Sequence, residues 1–395
     1  MLPKNKAILW LNGFLPMIRR ILIGFPILLS ALYGWWTTTD RNPYASLTDS
    51  LIASVNVVGS NRDRGNMLGI QPWMNPLDYS TESRFRDKIR GYLTAARERG
   101  LIVPGKTIVV LPEYLGAWLV AVDEKVSVYH APTVQEALTT LVLSNPLSFI
   151  RARWNAPDTA QDKTKHTVFA MKGPQMAEIY TNTFTQLASQ YQVTIVAGSI
   201  LLPDPSVQNG KLIVGNGPLY NVSAVFHPDG RLDPQLVRKV YPIADELPFV
   251  CPTNPADVPV FDTPVGKLGV LVCADSWNSP VYKTLKQKGA TLLAVPSYSA
   301  GDGVWKTIWR GYSGTKTPAD ARADVGRITE GQAWLAHAMA GRATPEAGIV
   351  KGLNVFLRGN LWDLGTDGTT IILNDKSGPK TAPRVNGAAL TCLWL

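Results

Sequence analysis

The chain has 395 residues, enough for one large α/β domain with additions or for two modest domains. Apolar residues make up 45% and charged residues 17%, so a large core can be buried. The net charge of +9 comes without a long Lys/Arg run or a nucleic-acid-binding motif, which argues against nucleic acid as a partner.

The chain opens with membrane signals. Residues 7–18 are mostly apolar, Arg19 and Arg20 follow, and residues 21–36 form an uncharged run of 16. As a helix that run spans about 24 Å, short of a hydrocarbon core of roughly 30 Å; residues 37–39 extend it to about 28 Å. Tyr33, Trp35 and Trp36 would form an aromatic belt at the far interface. Lys4, Lys6, Arg19 and Arg20 all precede the run and so leave the N-terminus cytoplasmic, with the remainder outside, on the periplasmic side in a bacterium. Residues 1–40 are therefore expected to be a single-pass anchor that meets the lipid bilayer through residues 7–36. A cleaved signal peptide and a pair of interfacial helices are the alternatives.

Residues 41–65 are polar and turn-rich and read as a linker, and the catalytic domain is expected over 66–395. Strands are expected at 67–71, 107–111, 193–199, 220–227, 268–272, 291–296, 352–357 and 369–373. Several are unbroken apolar runs, as a sheet covered on both faces requires. Helices are expected at 81–99, 175–190, 279–288 and 329–340. Ser80 or Thr81 can cap the first, and Pro280 fits the first helical position of the third. Residues 120–171 form a long insertion. Its segment 146–154 carries Phe149, Ile150 and Trp154 beside Arg151 and Arg153, which suits either a membrane-resting arm or an added helical hairpin.

Three side chains stand at strand ends. Glu113 closes Leu111-Pro112-Glu113, Lys239 precedes Tyr241-Pro242 and Glu246-Leu247-Pro248-Phe249, and Cys273 follows an apolar strand and opens Cys273-Ala274-Asp275-Ser276-Trp277. Each alone is ordinary: a cysteine there is most often a small buried apolar group, and a lone Glu or Lys a solvated charge. The cysteines Cys251, Cys273 and Cys392 form no CxxC pair and no metal spacing, so no metal or other cofactor is expected; a Cys251–Cys392 disulfide stands open beside free thiols. His130, His166, His227 and His337 sit in no motif.

In this order and with these flanks, the three residues resemble the Glu-Lys-Cys triad of the nitrilase, or carbon-nitrogen hydrolase, superfamily. The resemblance runs from about residue 66 to 373. It implies a four-layer α-β-β-α sandwich, a homodimer, and hydrolysis of a non-peptide carbon–nitrogen bond in a small amide, in preference to a nitrile. It also implies roles. Glu113 would be the general base, Lys239 would stabilise the oxyanion, and Cys273 would be the nucleophile that carries a thioester. The backbone N–H of Ala274 would be a second oxyanion donor. Glu246 would position Lys239 or a substrate amine, and Asp275 and Trp277 would shape the substrate pocket. The same pattern resembles the catalytic domain of apolipoprotein N-acyltransferase, so transfer of an acyl group to an amine is the second reading. An inactive binding or scaffold protein is the third.

Overall fold

The computed structural model describes residues 25–41, 49–158, 160–375 and 378–395. Long apolar runs become central strands because both of their faces are covered. The first sheet uses β1 Ile52–Val58, β2 Asn66–Gln71, β3 Thr107–Val110, β4 Thr194–Pro203, β5 Leu219–Phe226 and β6 Val237–Arg238. The second uses β7 Val260–Thr263, β8 Gly266–Val270, β9 Leu292–Ser297, β10 Lys351–Phe356, β11 Ile371–Asn374 and β12 Lys380–Thr381, after which β13 Ala388–Trp394 returns to the first. The orders are β1-β13-β2-β3-β4-β5-β6 and β7-β8-β9-β10-β11-β12. In the first sheet β2, β3 and β4 run parallel, with Met67 opposite Ile108 and Val109 opposite Ile195. In the second sheet β8, β9 and β10 run parallel.

Alternation along these strands makes the layers. Leu68, Ile70, Val109, Leu111, Ile195 and Ala197 join a core with α2 (Glu82–Glu98) and α6 (Lys163–Tyr191). Their neighbours Met67, Ile108, Val110 and Val196 join a second core with Val270, Val295, Leu353 and Val355. The same core continues to α7 (Ser279–Gln287), α8 (Glu330–His337) and α9 (Met339–Ala347). Helix, sheet, sheet and helix thus stack in four layers. At Gly69 the sheets pack closely: a Cβ there would lie 2.9 Å from Val355 Cγ2.

Several boundaries differ from the sequence reading. Residues 52–58, placed in the linker, are an edge strand whose exposure alternates residue by residue; one face is wet, so the run looks polar. The sheets do not end at residue 373, because β13 lies between β1 and β2. The helix expected at 175–190 is the second half of a 29-residue helix. Its Gly173-Pro174 step reads as a breaker but lies inside the helix, whose first turns are held by buried Val168 and Phe169. The helix expected at 329–340 is two helices that meet at the extended Ala338.

The insertion forms α3 (Val126–Tyr129), α4 (Val134–Ser144), α5 (Pro146–Trp154) and the start of α6. It is an added helical arm. Buried Glu124 ties it to its surroundings, taking Arg41 at 3.1 Å, Lys172 at 2.9 Å and the Asn145 amide at 2.9 Å. α5 buries no residue; Leu147 is 81% and Trp154 83% exposed.

Residues 25–38 form a helix, α1. Lys125 Nζ donates to the carbonyls of Trp36 (2.8 Å) and Thr39 (2.6 Å), and Arg41 Nε donates to that of Thr37 (2.8 Å). Cations at a helix C-terminus satisfy its unpaired carbonyls and its dipole. Phe25, Ile27, Leu28, Leu32 and Trp35 nevertheless stay exposed. Among the described residues no helix is long and apolar enough to cross a membrane. The expected span begins at residue 21, so its first four residues, like the apolar stretch 7–18, lie outside the described residues.

Phe184 joins the outer helices to the first sheet, with ring centroids 4.9 Å from Tyr180, 5.8 Å from Phe226 and 6.1 Å from Phe85. Phe184→Ala is expected to destabilise the fold by about 3–5 kcal/mol, read as a lower urea midpoint with little change in slope. An unchanged midpoint would show that this layer contributes little to the core.

Candidate active site

β3 leads directly to Glu113, and Ser199 of β4 fixes the turn that follows. Tyr114 N–H donates to Ser199 Oγ (2.8 Å), Gly116 N–H donates to the Ser199 carbonyl (2.8 Å), and Ser199 N–H donates to that of Pro112 (3.3 Å). Tyr114 takes a left-handed backbone, φ 61°. Lys239 follows the last strand of the first sheet and is held by its N–H donating to the Asn221 carbonyl at 2.8 Å. Cys273 stands where β8 breaks into a short 3-10 turn, Cys273–Trp277. Its own φ is 50°, an uncommon conformation for a residue with a Cβ. Two non-glycine residues in this region, one beside the carboxylate and one at the thiol, are the kind of backbone strain that collects at functional sites.

These strand ends bring Glu113, Lys239, Glu246 and Cys273 together, all buried. Lys239 Nζ lies 2.8 Å from Glu113 Oε1 and 2.6 Å from Glu246 Oε2. Asn221 Nδ2 bridges the two carboxylates, donating to Glu113 at 2.9 Å and to Glu246 at 3.1 Å. Glu246 also accepts the Ile243 N–H at 2.8 Å and a very short bond from the Tyr114 hydroxyl. The Cys273 thiol donates toward the Tyr298 carbonyl, 3.7 Å away.

The electrostatics separate the two glutamates. Burial pushes both carboxyls up. In Glu246 the Lys239 ammonium and the hydrogen bonds outweigh burial, so it sits below the ordinary carboxylate value. In Glu113 burial wins over Lys239, helped by the charge of Glu246, and its pKa is raised. Burial would lower Lys239, but Glu113 and Glu246 outweigh it and keep the ammonium protonated well above its usual range. Burial, and then the Glu113 charge, push the Cys273 thiol well up against the opposing pull of Lys239. Burial and charge thus favour the thiol form of Cys273, raise the proton affinity of Glu113, and favour the charged forms of Lys239 and Glu246.

Ala274 and Trp277 line a pocket of about 400 Å³ over Cys273, with Tyr298, Trp309, Tyr312, Glu330 and Trp334 among its walls. Asp275 does not shape it, contrary to the sequence reading. The side chain is fully buried and points away, accepting the N–H groups of Val240 (2.9 Å), Tyr241 (2.8 Å) and Val272 (3.2 Å). Burial lifts its carboxyl to about 7. Asp275 thus ties the segment after Lys239 to the segment before Cys273. A second cavity of about 400 Å³, between α5 and α6, is lined by Arg151, Asn155 and His166 and holds none of these groups. His227 pairs with Asp233 at 2.9 Å and His337 with Asp324 at 2.8 Å, and Cys251, Cys273 and Cys392 are all free.

Sequence reasoning missed Asn221, Tyr114, Ser199 and the aromatic wall. Tyr114 follows the Pro112-Glu113 step directly and was within reach. Asn221 and Ser199 lie mid-strand, and the wall at 305–334 depends on how a long loop folds back, which no local pattern records.

Comparison with known proteins identifies the family. The family model for carbon-nitrogen hydrolase matches residues 70–314. Omega-amidase NIT2 of Xenopus tropicalis is 30% identical over 158 residues, which are 35% of this chain and 52% of that protein. A probable hydrolase of Bacillus subtilis (strain 168), YhcX, is 27% identical over 122 residues, 31% of this chain and 21% of its own. The matched region spans about half or less of the length of these curated relatives. Among solved structures, a double mutant of the amidase from Nesterenkonia sp. AN1 in complex with acrylamide superposes with a TM-score of 0.50 at 15% identity, covering 85% of this chain and 93% of that one, a likeness of fold. With more than half its length matched by the family model and the fold in agreement, the chain belongs to the carbon-nitrogen hydrolase family.

Proposed function

We propose that the protein hydrolyses an amide through a thioester on Cys273. The observation that carries this is Lys239 held between two carboxylates beneath a thiol that opens onto a pocket. The omega-amidase relatives favour an amide over a nitrile. Glu113 takes the thiol proton as sulfur attacks the carbonyl carbon. Lys239 Nζ and the Ala274 N–H face the oxyanion. The intermediate collapses, Glu113 returns the proton to the leaving nitrogen, and the amine departs. Glu113 then deprotonates a water that attacks the thioester, and the carboxylic acid leaves as the thiol re-forms. The upward shift of Glu113 suits a group that must carry this proton, and the downward shift of Glu246 suits one that stays ionised to hold Lys239.

Three results are expected. Cys273→Ala has no turnover, and Cys273→Ser a trace at most, with thermal midpoints near wild type. In single-turnover amine release, Glu113→Gln slows acylation on the order of 10²-fold or more. Glu246→Gln keeps measurable acylation, with the larger defect in binding or deacylation. An active Cys273→Ala protein, or Glu246→Gln losing acylation while Glu113→Gln keeps it, contradicts the assignment.

Asp275 supports the same geometry. Asp275→Asn leaves one acceptor oxygen for three buried N–H donors, so at least one is orphaned, at about 1–3 kcal/mol. A lower denaturant midpoint and a lower kcat with KM nearly unchanged are expected. Wild-type values for both would show that it clamps nothing.

The proposal includes an anchor through residues 7–36, with the catalytic domain outside the cytoplasm. What supports it is α1, held at its C-terminal end while its apolar side chains stay exposed. The same feature favours acyl transfer as the second reading, since a lipid-proximal site suits an acyl donor. Fractionation and N-terminal sequencing test the anchor: a membrane-bound chain retaining residues 21–36 is expected, and a soluble product beginning near residue 37 would make the run a cleaved signal. Resolution of the acyl-enzyme by an added amine, rather than by water, would select the transferase.

A further inference from the structure

The pocket over Cys273 holds a charge that the hydrolysis does not use. Glu330 opens α8, one residue after its Thr329 cap, and lines the pocket with the thiol. It is half-buried, yet among the described residues it makes no ion pair. Its side-chain partner is the Trp334 indole, which donates a hydrogen bond. Burial lifts its carboxyl to about 7, so near neutral pH the charged form lacks the compensation that a buried carboxylate normally has.

The walls beside it are aromatic. Trp277 stacks on Trp309 at 5.9 Å and meets Tyr312 and Trp334 edge-on at 5.4 and 4.8 Å. Aromatic faces attract a desolvated cation, and an unpaired carboxylate among them adds to that attraction. The other ionisable groups on the walls do not oppose it. Asp245 and Arg310 are exposed and of opposite sign, and burial pushes up the Tyr298 and Tyr312 hydroxyls and the Cys273 thiol, which favours their neutral forms. Lys239, below the thiol, is already held by Glu113 and Glu246.

We propose that Glu330 is a specificity-determining residue that seats a cationic group, an ammonium or guanidinium, at the far end of the amide substrate. This rests on the amidase reading of the same pocket and names its substrate class: amides carrying a second, positively charged amine.

The test uses the full-length Cys273→Ala protein, which binds without turning over. Affinities are measured by calorimetry for ω-amino amides of three to six methylenes and for uncharged straight-chain amides of equal heavy-atom number, between pH 6 and 8.5. The best amino amide is expected to bind at least tenfold tighter than its neutral counterpart at pH 8. That advantage shrinks toward pH 6 as Glu330 takes up its proton, while the ligand amine, with a pKa of about 10.4, stays charged. Adding Glu330→Gln removes both the preference and its pH dependence. No binding of any amino amide, equal affinities within each pair, or a preference that survives Glu330→Gln overturns the proposal, and the pH dependence in the protein with Glu330 intact decides the matter should that variant not fold. The hydrolase reading is judged separately by wild-type turnover. Turnover of neutral amides without a cation preference sinks only the Glu330 proposal; a cation preference without turnover of any amide sinks only the hydrolase reading.

Discussion

The structure turns on one buried arrangement: the Lys239 ammonium between the carboxylates of Glu113 and Glu246. Taking three charges out of water is expensive, and the mutual attraction repays it only with close geometry and further hydrogen bonds. Asn221 and the Ile243 N–H supply those bonds. Removing a single partner strands the others in a dry interior, a loss on the order of 3–5 kcal/mol. Burial, and then the Glu113 charge, hold Cys273 as a thiol until a base takes its proton, and the base is part of the same cluster.

Everything around the cluster serves to bring its members to one place. Glu113 follows the central strand β3 and Lys239 the edge strand β6 of the first sheet, and Cys273 follows β8 of the second, so the site exists only when the two sheets stack. Gly69 lets them approach, Ser199 grips the turn after Glu113, and Asp275 ties the lysine segment to the cysteine segment. The left-handed backbone at Tyr114 and Cys273 is over-determined by these contacts.

How much of this was legible in the sequence depends on whether a signal is local. Glu113, Lys239 and Cys273 could be singled out because each stands at a strand end with distinctive flanks, Glu246 because it lies in the segment that follows Lys239, and the strands of the doubly covered sheets because such runs are unbroken. β1 was hidden by its wet face and α6 by Gly173-Pro174, which usually ends a helix. Asp275 was placed in the pocket because it lies two residues from the thiol, but the tight turn beginning at Cys273 sends its side chain the other way, to three backbone donors. Glu330 is 57 residues from Cys273 in sequence, and only the stacking of α8 against the aromatic wall brings it to the pocket. The arm around Glu124 shows the same limit: a helical hairpin was one of two readings of that segment, and the single carboxylate that binds Arg41 and Lys172 and so fastens α1 to the domain had no local signal.

The most direct measurement is peptide-mapped mass spectrometry of the protein quenched during reaction with a simple amide. The account predicts a transient acyl mass on the peptide bearing Cys273, formed as the amine is released and lost as the acid appears. Turnover with no acyl mass at any time, or an acyl mass on Cys251, Cys392 or a non-cysteine residue, would contradict it.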